Sequence, residues 1–76
     1  MPEYRIGEFS AYWAEMGDEA ISQGEHQFLQ GHVVEVRESD SDDLQIVVVR
    51  SAQTGRLWDI TMNEIGTTVE CTEHES

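Results

Sequence analysis

Residues Gln45 to Val49 read QIVVV, and this run limits the possible folds more than any other stretch of the chain. Branched side chains at consecutive positions are stiff at χ1 and suit a pleated strand. The run is too short for a good helix and too continuously apolar for a strand with one face in water. It is therefore predicted to be the central strand of a sheet. Its neighbours come from the flanking sequence, so that Gly31 to Met62 reads as three strands separated by two turns.

In the first of these, HVVEVRE, Val34 and Val36 point one way while Val33, Glu35 and Arg37 point the other. The second, Leu44 to Arg50, is followed by Ser51-Ala52-Gln53-Thr54-Gly55, where Gly55 takes the left-handed position that closes a short hairpin. The third, Arg56 to Met62, sets Trp58, Ile60 and Met62 on one face and Leu57 and Asp59 on the other. Met62 to Gly66 then reads as a single helical or 3₁₀ turn, and Thr67 to Thr72 as an edge strand. The polar residues 73–76 are expected to fray.

Ahead of the sheet, Ile6, Phe9, Trp13, Met16 and Ala20 fall within an arc of about 80° at ~100° per residue, which predicts an amphipathic helix over 6–23. Gly24 stands where a glycine would end it. Gly17 interrupts it at a cost of up to about 1 kcal/mol. Glu25 to Gln30 either extends the helix or links it to the sheet, with Phe28 and Leu29 as core contacts. The expected fold is α+β, one domain over 1–76, with the helix packed on a small, curled antiparallel sheet of three to four strands over 31–72. From Gly31 to Thr72 the order of strand, acidic loop, strand, tight hairpin, strand, short turn and strand is similar to the SH3-like small barrels. That resemblance implies a curled sheet and no particular activity; an open sheet would bury the same residues.

Charge is the second strong signal. Sixteen acidic residues face four arginines and no lysine, for a formal net charge of -12. Such a chain repels nucleic acid and anionic membranes, and any basic groove attracts it. Two acidic groups stand out. On the predicted helix, Glu8, Glu15 and Glu19 project within about 40° of one another with Asp18 beside them, and Glu15 and Glu19 are about 6 Å apart along the axis, a phosphate-like spacing. The loop Glu38-Ser39-Asp40-Ser41-Asp42-Asp43 concentrates four more acids. Tyr12, at the border of the helical faces, would suit a protein interface.

Catalytic and metal-binding patterns are absent. The acidic loop lacks the sixth-position glycine and twelfth-position glutamate of a calcium loop. Cys71, the single cysteine, excludes an internal disulfide, and with His26, His32 and His74 it makes a poor zinc set. None of these histidines carries a signature for nucleophilic catalysis, and no phosphate loop is present. With no signal-like or membrane-length apolar segment, a cytoplasmic, non-enzymatic protein without cofactor is expected. Two functional classes fit. One is a binding protein that docks Glu8, Tyr12, Glu15, Asp18, Glu19, Glu38, Asp40, Asp42 and Asp43 on a basic nucleic-acid-binding protein, a strategy that resembles the DNA-mimic inhibitors used by phages against restriction or CRISPR systems. The other is a structural or accessory barrel module from a salt-adapted cell, acidic for solubility. Acids gathered on one surface favour the first, and even scatter favours the second.

Overall fold

The computed structural model describes residues 9–74, with side chains from Ala14 onward. Five strands and one short helix follow in order: β1 Phe9–Glu15, α1 Asp18–Ser22, β2 Phe28–Glu38, β3 Leu44–Ser51, β4 Leu57–Asn63 and β5 Thr68–Glu73. Each strand pairs antiparallel with the next, giving one sheet in the order β1-β2-β3-β4-β5. The sheet curls until it is nearly closed. Across the gap, α1 packs against β5, and the Gly17 amide donates to the Cys71 sulfur.

The valine run occupies the centre, as its composition requires. Val47 and Val49 face the barrel interior with Leu29, Val33, Trp58, Ile60 and Met62, joined by Ala14, Met16 and Ala20. Val48 points to the other face, in register with Glu35 and Asp59, and is also buried. Val36 and Cys71 pack against the interior cluster. Gly55 has φ 77° and closes the β3–β4 hairpin, as expected.

The N-terminal helix is the main correction. Residues 6–8 of the predicted 6–23 helix lie outside the described residues, 9–15 form β1, and among the described residues only Asp18–Ser22 are helical, so the fold is five strands with one helical turn rather than a helix packed on three or four. The ladder explains the misleading period. Ser10 pairs with Gly31 and Ala14 with Leu29, so four steps along β1 match two along β2. Such an irregularity breaks the two-residue alternation of a strand and leaves apolar residues at near-helical spacing. Gly24 does end α1 at φ 98°, with its amide bonded to the Ile21 carbonyl.

Smaller corrections have similar causes. A second irregularity between Val33 and Glu35 lets both Val33 and Val36 face inward, against the alternation expected of HVVEVRE. Leu29 is core, but Phe28, one step along the same strand, is exposed. Residues 64–67 form a hydrogen-bonded turn without helix, in which Asn63 Oδ1 accepts the amides of Ile65 and Thr67. Glu73 and His74 do not fray: Glu73 belongs to β5, and the His74 amide donates to the Leu57 carbonyl.

Gly31 sits where β2 is sandwiched between Ser10 of β1 and Ser51 of β3. A Cβ there would lie 2.0 Å from the Arg50 carbonyl oxygen, a clash that only backbone movement can relieve. Gly31→Ala is therefore expected to destabilise the chain by about 3 kcal/mol, the upper part of the range for overpacking. Urea unfolding followed by Trp fluorescence checks this against Gly55→Ala, where a Cβ meets nothing within 4 Å and only the positive φ is strained.

Candidate functional site

The register fixes which loops share an end of the barrel. Leu44 pairs with Asn63, so the β2–β3 turn (39–43) and the β4–β5 turn (64–67) lie side by side. The β3–β4 loop and the segment after α1 occupy the opposite end, where the Ala52 amide donates to the Gln30 carbonyl. The acidic turn and the β3–β4 loop are thereby separated by the length of β3, about 25 Å for a strand of eight residues.

At the first end, serines hold the turn. Ser39 Oγ accepts the Ser41 amide at 3.1 Å and faces the Leu44 carbonyl at 3.2 Å, while Ser41 Oγ accepts the Asp43 amide at 3.4 Å. The Leu44 amide closes the turn on the Ser41 carbonyl. Aspartates in turns commonly make such bonds themselves. Here Glu38, Asp40, Asp42 and Asp43 are exposed, and among the described residues their carboxylates have no ion pair. Glu64, on the neighbouring turn, is exposed as well and was not singled out from sequence because it stands alone there.

The arginines are engaged elsewhere or stand apart. Arg37 pairs with Glu35 at 2.9 Å, which raises its pKa through the hydrogen bond and the charge of that glutamate. Arg56 bridges Glu73 and Gln23, each at 2.7 Å. Arg50 is exposed on β3.

The remaining predicted site residues fall on β1 and α1 or outside the described residues. Glu15 ends β1, while Asp18 and Glu19 open α1; all three are exposed. The helical face that was to align Glu8, Glu15 and Glu19 does not exist, because β1 occupies its place, and the phosphate-like spacing goes with it. Glu8 lies outside the described residues, and Tyr12 is described only as backbone in β1. The structure does not bring the Glu15, Asp18, Glu19 group together with the 38–43 loop.

One acid was missed by sequence reasoning altogether. Glu25, read as part of either a helix extension or a link to the sheet, is 5 % exposed. Its Oε1 accepts Ser51 Oγ at 2.6 Å, and its Oε2 accepts Trp58 Nε1 at 2.9 Å together with Thr54 Oγ1. Gln53 reinforces this union of linker and hairpin, accepting the His26 amide and donating to the Gly24 carbonyl, each at 3.1 Å. The partners lie more than twenty-five residues away in sequence, so no local pattern announces them.

Among the described residues, no group of three or more His, Cys, Asp or Glu is placed to hold a metal ion. No described helix is long and apolar enough to cross a membrane. His74 Nδ1 lies 2.7 Å from Asp59 Oδ1, an ion pair when the ring is protonated. Burial pushes the Cys71 thiol up from its ordinary value, against the smaller opposing effect of the Gly17 amide. Comparison with known proteins finds no match to any family model, curated protein or solved structure.

Two outcomes follow for stability. Glu25→Ala strands the Ser51, Thr54 and Trp58 donors and should cost about 3 kcal/mol or more, whereas Glu25→Gln, which keeps one acceptor oxygen, should cost less. The shift in urea midpoint checks both. For Cys71, the folded state favours the protonated thiol, so its contribution is complete below the ordinary value of 9.0 and is lost as pH rises through the higher folded value. Unfolding midpoints should fall as pH rises above the ordinary thiol value of 9.0, and Cys71→Ser should lessen that fall.

Proposed function

We propose that this chain is a non-enzymatic acidic binding protein that docks on the basic nucleic-acid-binding surface of a partner protein in the cytoplasm, as a DNA-mimic inhibitor of the kind phages direct against restriction or CRISPR systems would. The observation that carries this function is the serine-built turn. Its four carboxylates take no part in holding the fold, and the neighbouring turn adds Glu64. Charges held in place but not neutralised internally give strong complementarity with cations and speed encounter. Salt should weaken the complex steeply. The second acidic group, on β1 and α1, favours the alternative, an accessory barrel module from a salt-adapted cell whose acidity serves solubility.

Two triple variants with equal charge change separate these functions. Asp40→Asn, Asp42→Asn and Asp43→Asn disarm the turn, and Glu15→Gln, Asp18→Asn and Glu19→Gln disarm the group on β1 and α1. In a pull-down from nuclease-treated lysate, the wild-type chain should retain basic proteins that duplex DNA releases. The turn variant should lose at least about ten-fold of that capture, roughly 1.4 kcal/mol, and the other variant should lose far less. Equal losses, or capture that DNA does not displace, would assign the acidity to solubility.

A further inference from the structure

An open groove of about 390 Å³ lies between the linker after α1 and the β3–β4 loop, lined by Glu25, His26, Phe28, Gln30, Ser51, Ala52 and Gln53. It is distinct from the acidic turn, which is at the other end of the barrel. Its volume is within the range of sites that hold a small molecule or a single large side chain. Its walls are braced before any ligand arrives: Ala52 to Gln30, His26 to Gln53, Gln53 to Gly24 and Ser51 to Glu25 are all hydrogen-bonded.

Two features of the lining define the chemistry of an occupant. Phe28 stands 43 % exposed in a wall otherwise made of polar residues and Ala52, while its strand neighbour Leu29 is buried. An exposed ring there offers a face to a flat group. Glu25 supplies the second feature. Among the described residues its three donors are two hydroxyls and an indole, all neutral, and none of them cancels its negative charge. Nearby, His26 Nδ1 accepts the Phe28 amide at 3.4 Å, and Arg56 is engaged by Glu73 and Gln23.

We infer that this groove binds the guanidinium of an arginine side chain from a partner protein, stacked on Phe28 and drawn by the uncancelled charge of Glu25. A planar, weakly hydrated cation gains from an aromatic face, and guanidinium does so more readily than a compact ammonium. The inference rests on the acidic-partner function proposed above for its choice of a protein as the source of the cation. The groove itself is defined independently of the 38–43 turn.

The probe is N-acetyl-arginine methylamide, titrated into the ¹⁵N-labelled chain. Saturable shifts are expected at the Ala52 and Gln53 amides and the Trp58 indole. The neutral isostere N-acetyl-citrulline methylamide should bind at least ten-fold more weakly, and the lysine analogue should also be weaker than arginine. Phe28→Leu, at an exposed position, should keep the fold and remove most of the response. Equal binding by citrulline, equal binding by lysine, shifts confined to 38–43, or an unaltered response in folded Phe28→Leu would each overturn the assignment. Free L-arginine binding ten-fold tighter than the capped form would overturn a side chain as the source. The 40, 42, 43 triple variant distinguishes the two ideas, because it should leave arginine binding at the groove intact while abolishing partner capture.

Discussion

A carboxylate buried without a cation is costly, and among the described residues the fold is arranged around one, Glu25. Removing Glu25 from water costs several kcal/mol before any compensation. Three directed donors offset that cost, and bonds to an ionised acceptor are roughly twice as strong as neutral ones. Their origin matters as much as their number. Ser51 ends β3, Thr54 lies in the hairpin loop and Trp58 is the first interior residue of β4, so one side chain ties the segment after α1 to both strands of the central hairpin. Satisfying all three donors requires that hairpin to be formed with Gly55 in its left-handed conformation, since Ser51 Oγ also accepts the Gln53 and Thr54 amides. Polar specificity at one end thus complements the non-directional packing of valines, Trp58, Ile60 and Met62 in the interior.

The same bond network decides how the barrel closes. With linker and hairpin fixed together, the short α1 is held over β5, and the Gly17 amide reaches the Cys71 sulfur. Among the described residues no ladder joins β1 to β5, so closure depends on a few contacts rather than on a continuous strand pair. A thin core in a chain of 76 residues leaves little margin for losing them.

How much of this was legible in the sequence follows from the range of the interactions. Strands β3, β4 and β5 were readable because two-residue alternation and the turn at Gly55 are local signals, and the Val47-Val48-Val49 run announced a strand buried on both faces. β1 was not readable, because its pairing slips by two residues against β2 and the resulting spacing of Phe9, Trp13 and Met16 imitates a helix. Phe28 and Leu29 looked alike in composition and differ only through the face that the ladder assigns them. The acidic loop was plain from composition. What could not be seen was that its serines take over the turn's hydrogen bonds, or that Glu15, Asp18 and Glu19 stand on β1 and α1 rather than along one helix. Those are consequences of register, and register depends on distant pairing.

These two kinds of acid bear on recognition in different ways. An exposed carboxylate in the 38–43 turn is well solvated, so its interaction with a single cation is weak and easily screened. On the proposed function such groups would act collectively, steering a basic surface toward one end of the barrel. Glu25 is the reverse case: one charge, shielded from water and held by fixed dipoles, acts at short range with less screening. A partner that meets only the turn should associate quickly and dissociate quickly, because rim charges act mainly on encounter. One that also seats a planar cation against Phe28 would gain a contact that is largely insensitive to salt. Since the turn and the groove lie at opposite ends of β3, a single partner surface must span about 25 Å to engage both. That span is several phosphate spacings along a duplex, which places the geometric demand on the partner's groove rather than on any further change in this small barrel.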